Sequence, residues 1–214
     1  MRGVEQIPWL YDTGMVLLEK AGLGRWRAWL AGGVSRGRAL DLGCGTGRNL
    51  PLYGKDARAI GLDPCHPSLL KARRRAPGVP LVRARAEALP FRDGAFDTVV
   101  SGLVFCSIAD VPRSLAEVRR VLRPGGVLRM LEHVRTSGRV AAWLQDRTQP
   151  AWTWFTGGCH PNRDTEAAVA AAGFVVDPAS YRAQGDMRRF ECHPSARPSA
   201  SGARGISKAS PESS

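Results

Sequence analysis

The segment Asp41-Leu42-Gly43-Cys44-Gly45-Thr46-Gly47 decides the fold of this chain. Apolar Ala39-Leu40 lead into it, and Arg48-Asn49-Leu50 can continue from it as a helix. A strand, a tight turn and a helix start are therefore predicted. Glycine is needed in such a turn because a side chain would forbid the required backbone angles and would keep a ligand away from the main chain.

The spacing of these glycines excludes two common phosphate-binding loops. A G-x-G-x-x-G dinucleotide loop would need glycine in place of Arg48, and a P-loop would end in Gly-Lys-Ser or Gly-Lys-Thr. The pattern present, D-x-G-x-G-x-G, resembles the first motif of the class I methyltransferases that use S-adenosylmethionine. In that family the glycines admit the methionine part of the cofactor, and the acid holds the turn. The turn by itself leaves open an ordinary glycine-rich connection in another α/β protein.

Strand and helix patterns alternate from Arg38 onward, which is typical of a parallel sheet covered by helices on both faces. With the resemblance, this predicts a doubly wound, mostly parallel, seven-stranded, Rossmann-like α/β fold in a single domain. Strands are predicted at 38–43, 57–62, 79–83, 96–101, 127–131, 174–177 and 188–192. Helices are predicted at 48–53, 68–76 with Ser68 as cap, from a cap at Asp110 through Leu122, and at 140–149 and 164–172.

The domain organisation predicted from composition has three parts. A helical preface occupies residues 1–35, the methyltransferase-like domain occupies 36–194, and a tail occupies 195–214. The tail consists mainly of Ser, Ala, Arg, Pro and Gly, so it cannot bury enough apolar surface to fold and is predicted to be disordered.

A carboxylate follows the second predicted strand, in Gly61-Leu62-Asp63-Pro64. It lies 16 residues after Gly47, at the sheet edge where the glycine turn also lies, and two carboxylate oxygens suit the two adjacent hydroxyls of a ribose. An Asp that merely forms a turn before Pro is the alternative. Because Asp63 and the glycine turn lie at the same edge of the predicted sheet, a cofactor-binding role is favoured for Asp63.

Two further segments extend the resemblance over about residues 38–132. Residues 86–91, Ala-Glu-Ala-Leu-Pro-Phe, and the later Phe96-Asp97 are similar to a segment of the methyltransferases of ubiquinone and menaquinone synthesis, and residues 122–126 match that family's L-x-P-G-G turn. There the adenine lies against this loop, beside an Asp or Asn that is Arg85 here. The resemblance implies cofactor contacts at Asp41, Gly43, Cys44, Gly45, Gly47, Asp63, Pro64, Ala86, Glu87 and Ser101.

Distal residues indicate a branch of that family. Tyr11-Asp12, residues 49–53, Glu132-His133-Val134 and residues 158–165 resemble bacterial phospholipid N-methyltransferase-like proteins and the membrane-associated thiol methyltransferase-like proteins of animals. His133 and His160 are the candidate catalytic residues, because an imidazole near neutral pKa can take a proton from an acceptor hydroxyl, amine or thiol. Structural hydrogen bonding is the alternative for each.

Charge and cysteine content bear on partners and metals. The net charge is +12, from 27 Arg and 4 Lys against 19 acidic residues, but the arginines are scattered and no aromatic-interleaved basic strip accompanies them. Nucleic-acid binding is therefore not predicted, while contact with an anionic membrane surface is. Five cysteines without C-x-x-C spacing indicate no disulfide framework. Cys159-His160 and Cys192-His193 carry zinc-ligand types, but they lack a fixed short spacing, and no metal site is predicted.

The sequence therefore predicts a methyltransferase that uses S-adenosylmethionine and acts on a small, apolar acceptor such as a lipid, quinone or thiol. No run reaches the roughly 18 apolar residues of a membrane span, and no signal peptide is recognised, so a cytoplasmic protein is expected. One alternative is methylation of RNA or protein, suggested by the charge. Another is a non-catalytic binding module, suggested by Arg85 and by the short, polar seventh strand.

Overall fold

The computed structural model describes residues 7–136 and 138–195. Six α-helices lie within these ranges: α1 (Pro8–Leu18), α2 (Gly24–Gly32), α3 (His66–Arg75), α4 (Val111–Val121), α5 (Arg139–Thr156) and α6 (Thr165–Ala171). Eight strands form one sheet: β1 (Arg36–Leu42), β2 (Asp56–Leu62), β3 (Leu81–Val82), β4 (Phe96–Gly102), β5 (Leu122–His133), β6 (Phe174–Val176), β7 (Arg182–Gln184) and β8 (Met187–Pro194).

The strand order is β3-β2-β1-β4-β5-β8-β6, with the short β7 paired to β8. Strands β1 to β5 pair in parallel, and β8 runs antiparallel between β5 and β6. The predicted doubly wound fold is confirmed. From β1 the chain goes to β2 on one side and later to β4 on the other, so the crevice at the carboxyl ends of β1 and β4 is where a ligand of such a sheet binds.

Side chains alternate across the sheet and build a core on each face. Leu40 and Leu42 of β1 face a cluster that includes α4, whereas Ala39 faces a cluster with Leu30 of α2. This period of two follows from the pleat of a strand. Because both faces are buried, the central strands are held rigidly, and the loops at their carboxyl ends have a fixed frame.

Several predicted boundaries are wrong for identifiable reasons. Residues 48–53 form only one 3-10 turn, Leu50–Leu52, because Tyr53 is extended and Gly54 N–H donates to Val34 O at 2.9 Å instead of continuing a helix. Ser68 does not cap its helix, which begins at His66 with Pro67 in the first turn. Helix α5 runs on past the predicted end at Gln149, through Pro150.

The other predicted elements are located as follows. Asp110 and Asp164 cap α4 and α6 through their carboxylates, which accept from the backbone N–H groups of Arg113 and Ala167. The predicted seventh strand is longer than expected and forms β8. The preface holds α1, a π-helical stretch Glu19–Leu23 and α2. Residues 1–6 of the preface and 196–214 of the tail lie outside the described residues. In the described ranges, no helix combines the length and apolarity that crossing a membrane would take.

Candidate functional site

A cleft of about 800 Å³ opens at the carboxyl ends of β1, β2, β4 and β5. This volume lies in the range of small-molecule sites. Of the residues implied by the resemblance, the cleft wall contains Gly43, Gly45, Asp63, Pro64, Ala86 and Glu87. Asp41, Cys44, Gly47 and Ser101 lie behind that wall.

The glycine turn gives the cleft a bare stretch of main chain. Gly43, Gly45 and Gly47 have φ angles of +64°, +54° and +77°, which side chains rarely allow. A Cβ at Gly43 would lie 2.6 Å from Val104, and one at Gly47 would lie 2.9 Å from Ala72, whereas a Cβ at Gly45 would meet nothing within 4 Å. Gly45 is therefore the glycine whose backbone a ligand can approach most closely.

Asp63 is held with its carboxylate at the cleft wall by two backbone donors. Its Oδ2 accepts from Gly45 N–H at 2.9 Å and its Oδ1 from Cys65 N–H at 2.8 Å. Burial raises the pKa of Asp63, and the two N–H groups oppose that rise. Each carboxylate oxygen can accept a second hydrogen bond, so Asp63 retains the capacity to bind a pair of ligand hydroxyls.

Asp41 supports the glycine turn from the side that faces away from the cleft. It is fully buried, and its Oδ1 accepts from Asn49 Nδ2 at 3.0 Å. Asn49 Oδ1 in turn accepts from Arg27 Nη1 of α2 at 2.5 Å. Asp41 thus links the glycine turn to the preface helices.

The loop after β3 forms the adjoining wall. Ala86 is buried at the cleft, and Glu87 lies beside it. The Arg85 guanidinium pairs with Glu87 at 3.2 Å, and 67% of the Arg85 side chain is exposed. Arg85, Ala86 and Glu87 all line the cleft, so a flat ligand against the Ala86 backbone would lie beside this ion pair.

Ser101 and Glu132 form a buried pair beneath the far end of the cleft. Ser101 Oγ donates to Glu132 Oε1 at 2.7 Å, and the backbone N–H groups of Val104 and Phe105 donate to Glu132 Oε2 at 3.0 and 3.1 Å. Burial raises the pKa of Glu132 to about 7, although these donors oppose it. The pair fixes the loop after β4, which forms part of the cleft wall.

Three side chains that the sequence left apart meet in that wall: Cys106, His133 and Cys159. Both thiol sulfurs and a ring nitrogen of His133 lie within 4.8 Å of one another, and both cysteines are buried. Hydrogen bonding from Cys106 lowers the pKa of the Cys159 thiol, with further help from His133 and Trp152 and against the effect of burial. Burial would lower the pKa of His133, but Cys159 and Asp186 outweigh it and raise that pKa.

His160 lies outside the cleft wall. Its backbone N–H donates to Cys106 O at 2.8 Å, and its ring Nδ1 lies 2.7 Å from Gly158 O. Its observed contacts therefore position the Cys106 loop. Of the two candidate histidines, only His133 reaches the cleft. The dipeptides considered as metal ligands are also separated, since Cys192 lies in the core against Leu128 O.

The preface covers one side of the cleft. Apolar residues of the preface line the cleft, and contacts of Asp12 anchor α1 to the rest of the domain. Thr46 Oγ1 donates to Asp12 Oδ1 at 2.7 Å, and Arg75 Nη2 lies 3.1 Å from Asp12 Oδ2. Burial would raise the pKa of Asp12, but the Thr46 and Arg75 contacts outweigh it and lower that pKa. The residues of the preface that line the cleft are Leu10, Gly14, Met15, Leu18 and Leu23.

Comparisons with known proteins agree on one domain type. Residues 40–130 match the family model described as a methyltransferase domain. The human thiol S-methyltransferase TMT1B is 38% identical over 153 residues, which cover 68% of this chain and 63% of that protein. The demethylmenaquinone methyltransferase of Thermus thermophilus is 45% identical over 103 residues, covering 44% of this chain and 46% of that one.

A solved structure gives the same architecture. A Thermotoga maritima protein described as an S-adenosylmethionine-dependent methyltransferase, possibly a histamine N-methyltransferase, superimposes with a TM-score of 0.61 at 22% identity. The superposition covers 86% of this chain and 98% of that structure. At this identity the likeness concerns the fold. The chain spans less than two thirds of the length of each of the two curated relatives described above.

Proposed function

We propose that this chain, whose residues 40–130 match the methyltransferase domain family, transfers a methyl group from S-adenosylmethionine to a small, apolar acceptor. The resemblance recognised from D-x-G-x-G-x-G is confirmed by that family match. One observation carries the proposal: the glycine turn, the Asp63 carboxylate and the Ala86 backbone meet on one side of a single cleft. Apolar side chains, among them Met15, Leu18 and Phe155, line other parts of the cleft, as an acceptor of low polarity requires.

The residues present fit the cofactor. The bare backbone at Gly45 would take its methionine part, Asp63 its ribose hydroxyls, and the backbone of Ala86 its adenine. When bound, S-adenosylmethionine supplies an activated methyl group on a sulfonium. The protein's task is then to hold the acceptor atom in line and exclude water, which Met15 and Leu18 of the covering preface support.

The acceptor would enter between the preface and α5. Trp152 and Phe155 line the cleft there, next to Cys106, His133 and Cys159. Aromatic and sulfur groups favour an apolar acceptor over a charged one. The named activities of the two relatives, on a thiol and on demethylmenaquinone, support the same chemical class. Lipid, quinone and thiol acceptors are therefore the compounds to screen.

His133 is the residue we assign to the acceptor's proton. It is the final residue of β5 and lies in the cleft wall, within reach of both thiols of the cluster. An imidazole at this place can receive a proton directly from an acceptor or through an intervening group. His160 is assigned the supporting role that its backbone contact with Cys106 indicates.

The mouth of the cleft also suggests where the acceptor comes from. Helices α1 and α5 both line the cleft and carry exposed apolar side chains, among them Trp9, Leu17, Trp143 and Trp154. With a net charge of +12, these residues support peripheral contact of a cytoplasmic protein with an anionic membrane. An apolar acceptor could then pass from the lipid into the cleft.

The experiment that tests the function is calorimetric titration with S-adenosylmethionine and S-adenosylhomocysteine. Wild-type protein should bind both in the micromolar range, and Asp63→Ala should weaken binding at least about 100-fold, since it removes the carboxylate from two ribose hydroxyls. Asp56→Ala removes an exposed carboxylate from the other end of β2 and should leave binding unchanged. A folded wild-type protein that binds neither compound would favour the non-catalytic alternative.

A further inference from the structure

Cys106, His133 and Cys159 form a cluster of two thiols and one imidazole, a combination that the packing of the fold does not by itself require. Cys106 follows β4, His133 ends β5, and Cys159 follows α5, so three separate elements deliver their side chains to one point in the cleft wall. Among the residues that the structure describes, it is the one cluster in which at least three Cys, His, Asp or Glu side chains bring potential metal-ligand atoms close together. None of the five cysteines, all within the described ranges, is joined in a disulfide.

Two thiolates and an imidazole are the ligands that zinc prefers. Bonds of about 2.3 Å to sulfur and 2.0 Å to nitrogen in a tetrahedron place ligand atoms roughly 3.5–3.8 Å apart. The observed atoms lie within 4.8 Å of one another, so side-chain rotations that shorten these separations by up to about 1.3 Å bring them to the tetrahedral spacing. The three ligands would leave one corner of the tetrahedron, and all three line the cleft, so that corner can open toward the acceptor.

We propose that Cys106, His133 and Cys159 bind a zinc ion whose fourth position takes the sulfur of a thiol acceptor. This inference rests on the proposed function and narrows its acceptor to thiols. In such a site the S–H bond of the acceptor breaks, a bond from its sulfur to zinc forms, and the proton leaves to water. The bound sulfur would use its electron pair to form a bond to the methyl carbon of S-adenosylmethionine. The bond between that carbon and the sulfonium sulfur would break, its electron pair would stay on the leaving sulfur, and S-adenosylhomocysteine would be released.

The backbone around the cluster is held as a ligand site requires. Thr153 Oγ1 donates to Cys159 O at 2.7 Å, and Cys159 N–H donates to Thr156 Oγ1 at 3.2 Å. On the other side, Arg163 Nη1 donates to Phe105 O at 2.7 Å, next to Cys106. Contacts of this kind around a metal site fix the orientation of the ligating side chains and tune the affinity for the metal.

Product release follows from the same coordination. A methylated sulfur is a neutral thioether, which is a poorer zinc ligand than a thiolate. The open position would therefore bind the acceptor more tightly than the product. With zinc bound, a ring nitrogen of His133 is a ligand, so the metal replaces the proton-accepting role assigned to His133 above. A histidine acting alone as base would give no such discrimination, because it does not bind the acceptor's sulfur.

The test uses the reduced full chain, zinc analysis and Co²⁺ spectroscopy. Wild-type protein loaded with zinc and then dialysed against zinc-free buffer should hold one zinc per chain, and the Co²⁺ form should show thiolate-to-metal absorption that rises when 1-butanethiol is added. Cys106→Ser and Cys159→Ser should weaken zinc binding by at least about 100-fold, as loss of a ligand exceeds the effect of losing an outer contact. Cys65→Ser, a cleft cysteine outside the cluster, should bind zinc like wild type.

Titration with S-adenosylhomocysteine separates this inference from the proposed function. Cluster variants should keep wild-type affinity for that compound while losing zinc. Failure of wild-type protein to bind zinc, with S-adenosylhomocysteine still bound, overturns the metal site alone. A Co²⁺ spectrum that 1-butanethiol leaves unchanged overturns the acceptor position, and loss of S-adenosylhomocysteine binding with zinc retained overturns the methyltransferase function instead.

Discussion

Asp41 shows how a residue recognised from a motif can act beneath a site rather than in it. Its carboxylate is fully buried under the glycine turn and accepts a hydrogen bond from Asn49. Burial raises the pKa of Asp41 to about 7, against the lowering effects of Asn49, Tyr53 and Arg27. In the unfolded chain the same group titrates near pH 4. The folded protein therefore holds this proton more tightly than the unfolded chain does.

This difference predicts a specific pH dependence of stability. The contribution of Asp41 is fully present below about pH 4 and is lost as the pH rises through about 7. Asp41→Asn removes the titration, so its free energy of unfolding relative to wild type should rise by up to about 4 kcal/mol between pH 4 and pH 8. Urea unfolding across that range measures it. Asp56→Asn, at the exposed start of β2, is the control, and a pH-independent difference for Asp41→Asn would contradict the prediction.

The site was only partly predictable at the level of residues. Asp63 and the glycine turn follow from local spacing, because a strand, a turn and the next strand fix their positions. The cluster of Cys106, His133 and Cys159 does not, since its members are 27 and 26 residues apart and meet only through the packing of β4, β5 and α5. The thiols stood among five scattered cysteines, and no pattern distinguished them from core residues.

At the level of secondary-structure elements, helix α1 covers part of the cleft and is held there by hydrogen bonds and ion pairs. Asp12 contacts Thr46 of the glycine turn and Arg75 of α3, while Glu19 pairs with Arg48 and with Arg27 of α2. These ion pairs are partly buried, so they are less screened by solvent than fully exposed ones. The cover is thereby linked to the turn that would hold the cofactor.

Loss of this fastening should loosen the bound cofactor. Asp12→Ala removes the acceptor of Thr46 and Arg75, and we expect the dissociation rate of S-adenosylhomocysteine to rise about tenfold, equivalent to about 1.4 kcal/mol. Stopped-flow displacement measures this rate. Thr13→Ala, at an exposed position whose hydroxyl bonds only within its own helix, is the matched variant. Equal rates for Asp12→Ala and Thr13→Ala would show that α1 does not retain the ligand.

Helix ends were the least predictable elements. The sequence predicts a helix that ends at Gln149, yet α5 continues through Pro150 to Thr156, since a proline costs a helix one hydrogen bond and need not end it. The predicted helix 48–53 is a single 3-10 turn, Leu50–Leu52, after which Tyr53 is extended. The strands were more predictable. Both faces of the sheet are buried, so each central strand needs a run of apolar residues that is visible in the sequence.

At the scale of the whole molecule, exposed apolar side chains lie on the helices that line the cleft, and the chain carries a net charge of +12. Trp154 on α5 is 70% exposed, and Leu17 on α1 is similarly accessible. Both lie on helices that line the cleft. An interfacial helix buries such side chains at the headgroup boundary, while basic residues attract anionic lipid.

Vesicle co-sedimentation tests this orientation. Wild-type protein should bind vesicles containing phosphatidylglycerol and should be released by raising the salt concentration, because screening weakens the attraction of a +12 chain. Trp154→Glu should lower the affinity at least about fivefold through lost burial and added repulsion. Val175→Glu changes a 60% exposed apolar residue on β6 and is the control. An equal loss for both variants would indicate a general charge effect in place of a membrane-facing mouth.

The antiparallel strand β8 has a consequence for how the protein is made. It lies between β5 and β6, so residues 187–194 complete the middle of a sheet whose other strands have already been synthesised. Until they leave the ribosome, β5 presents an open hydrogen-bonding edge, and the wall that contains Asp186 and Met187 is missing from the cleft. The nascent chain must therefore keep that edge from pairing with other chains until β8 arrives, and only then is this cleft complete.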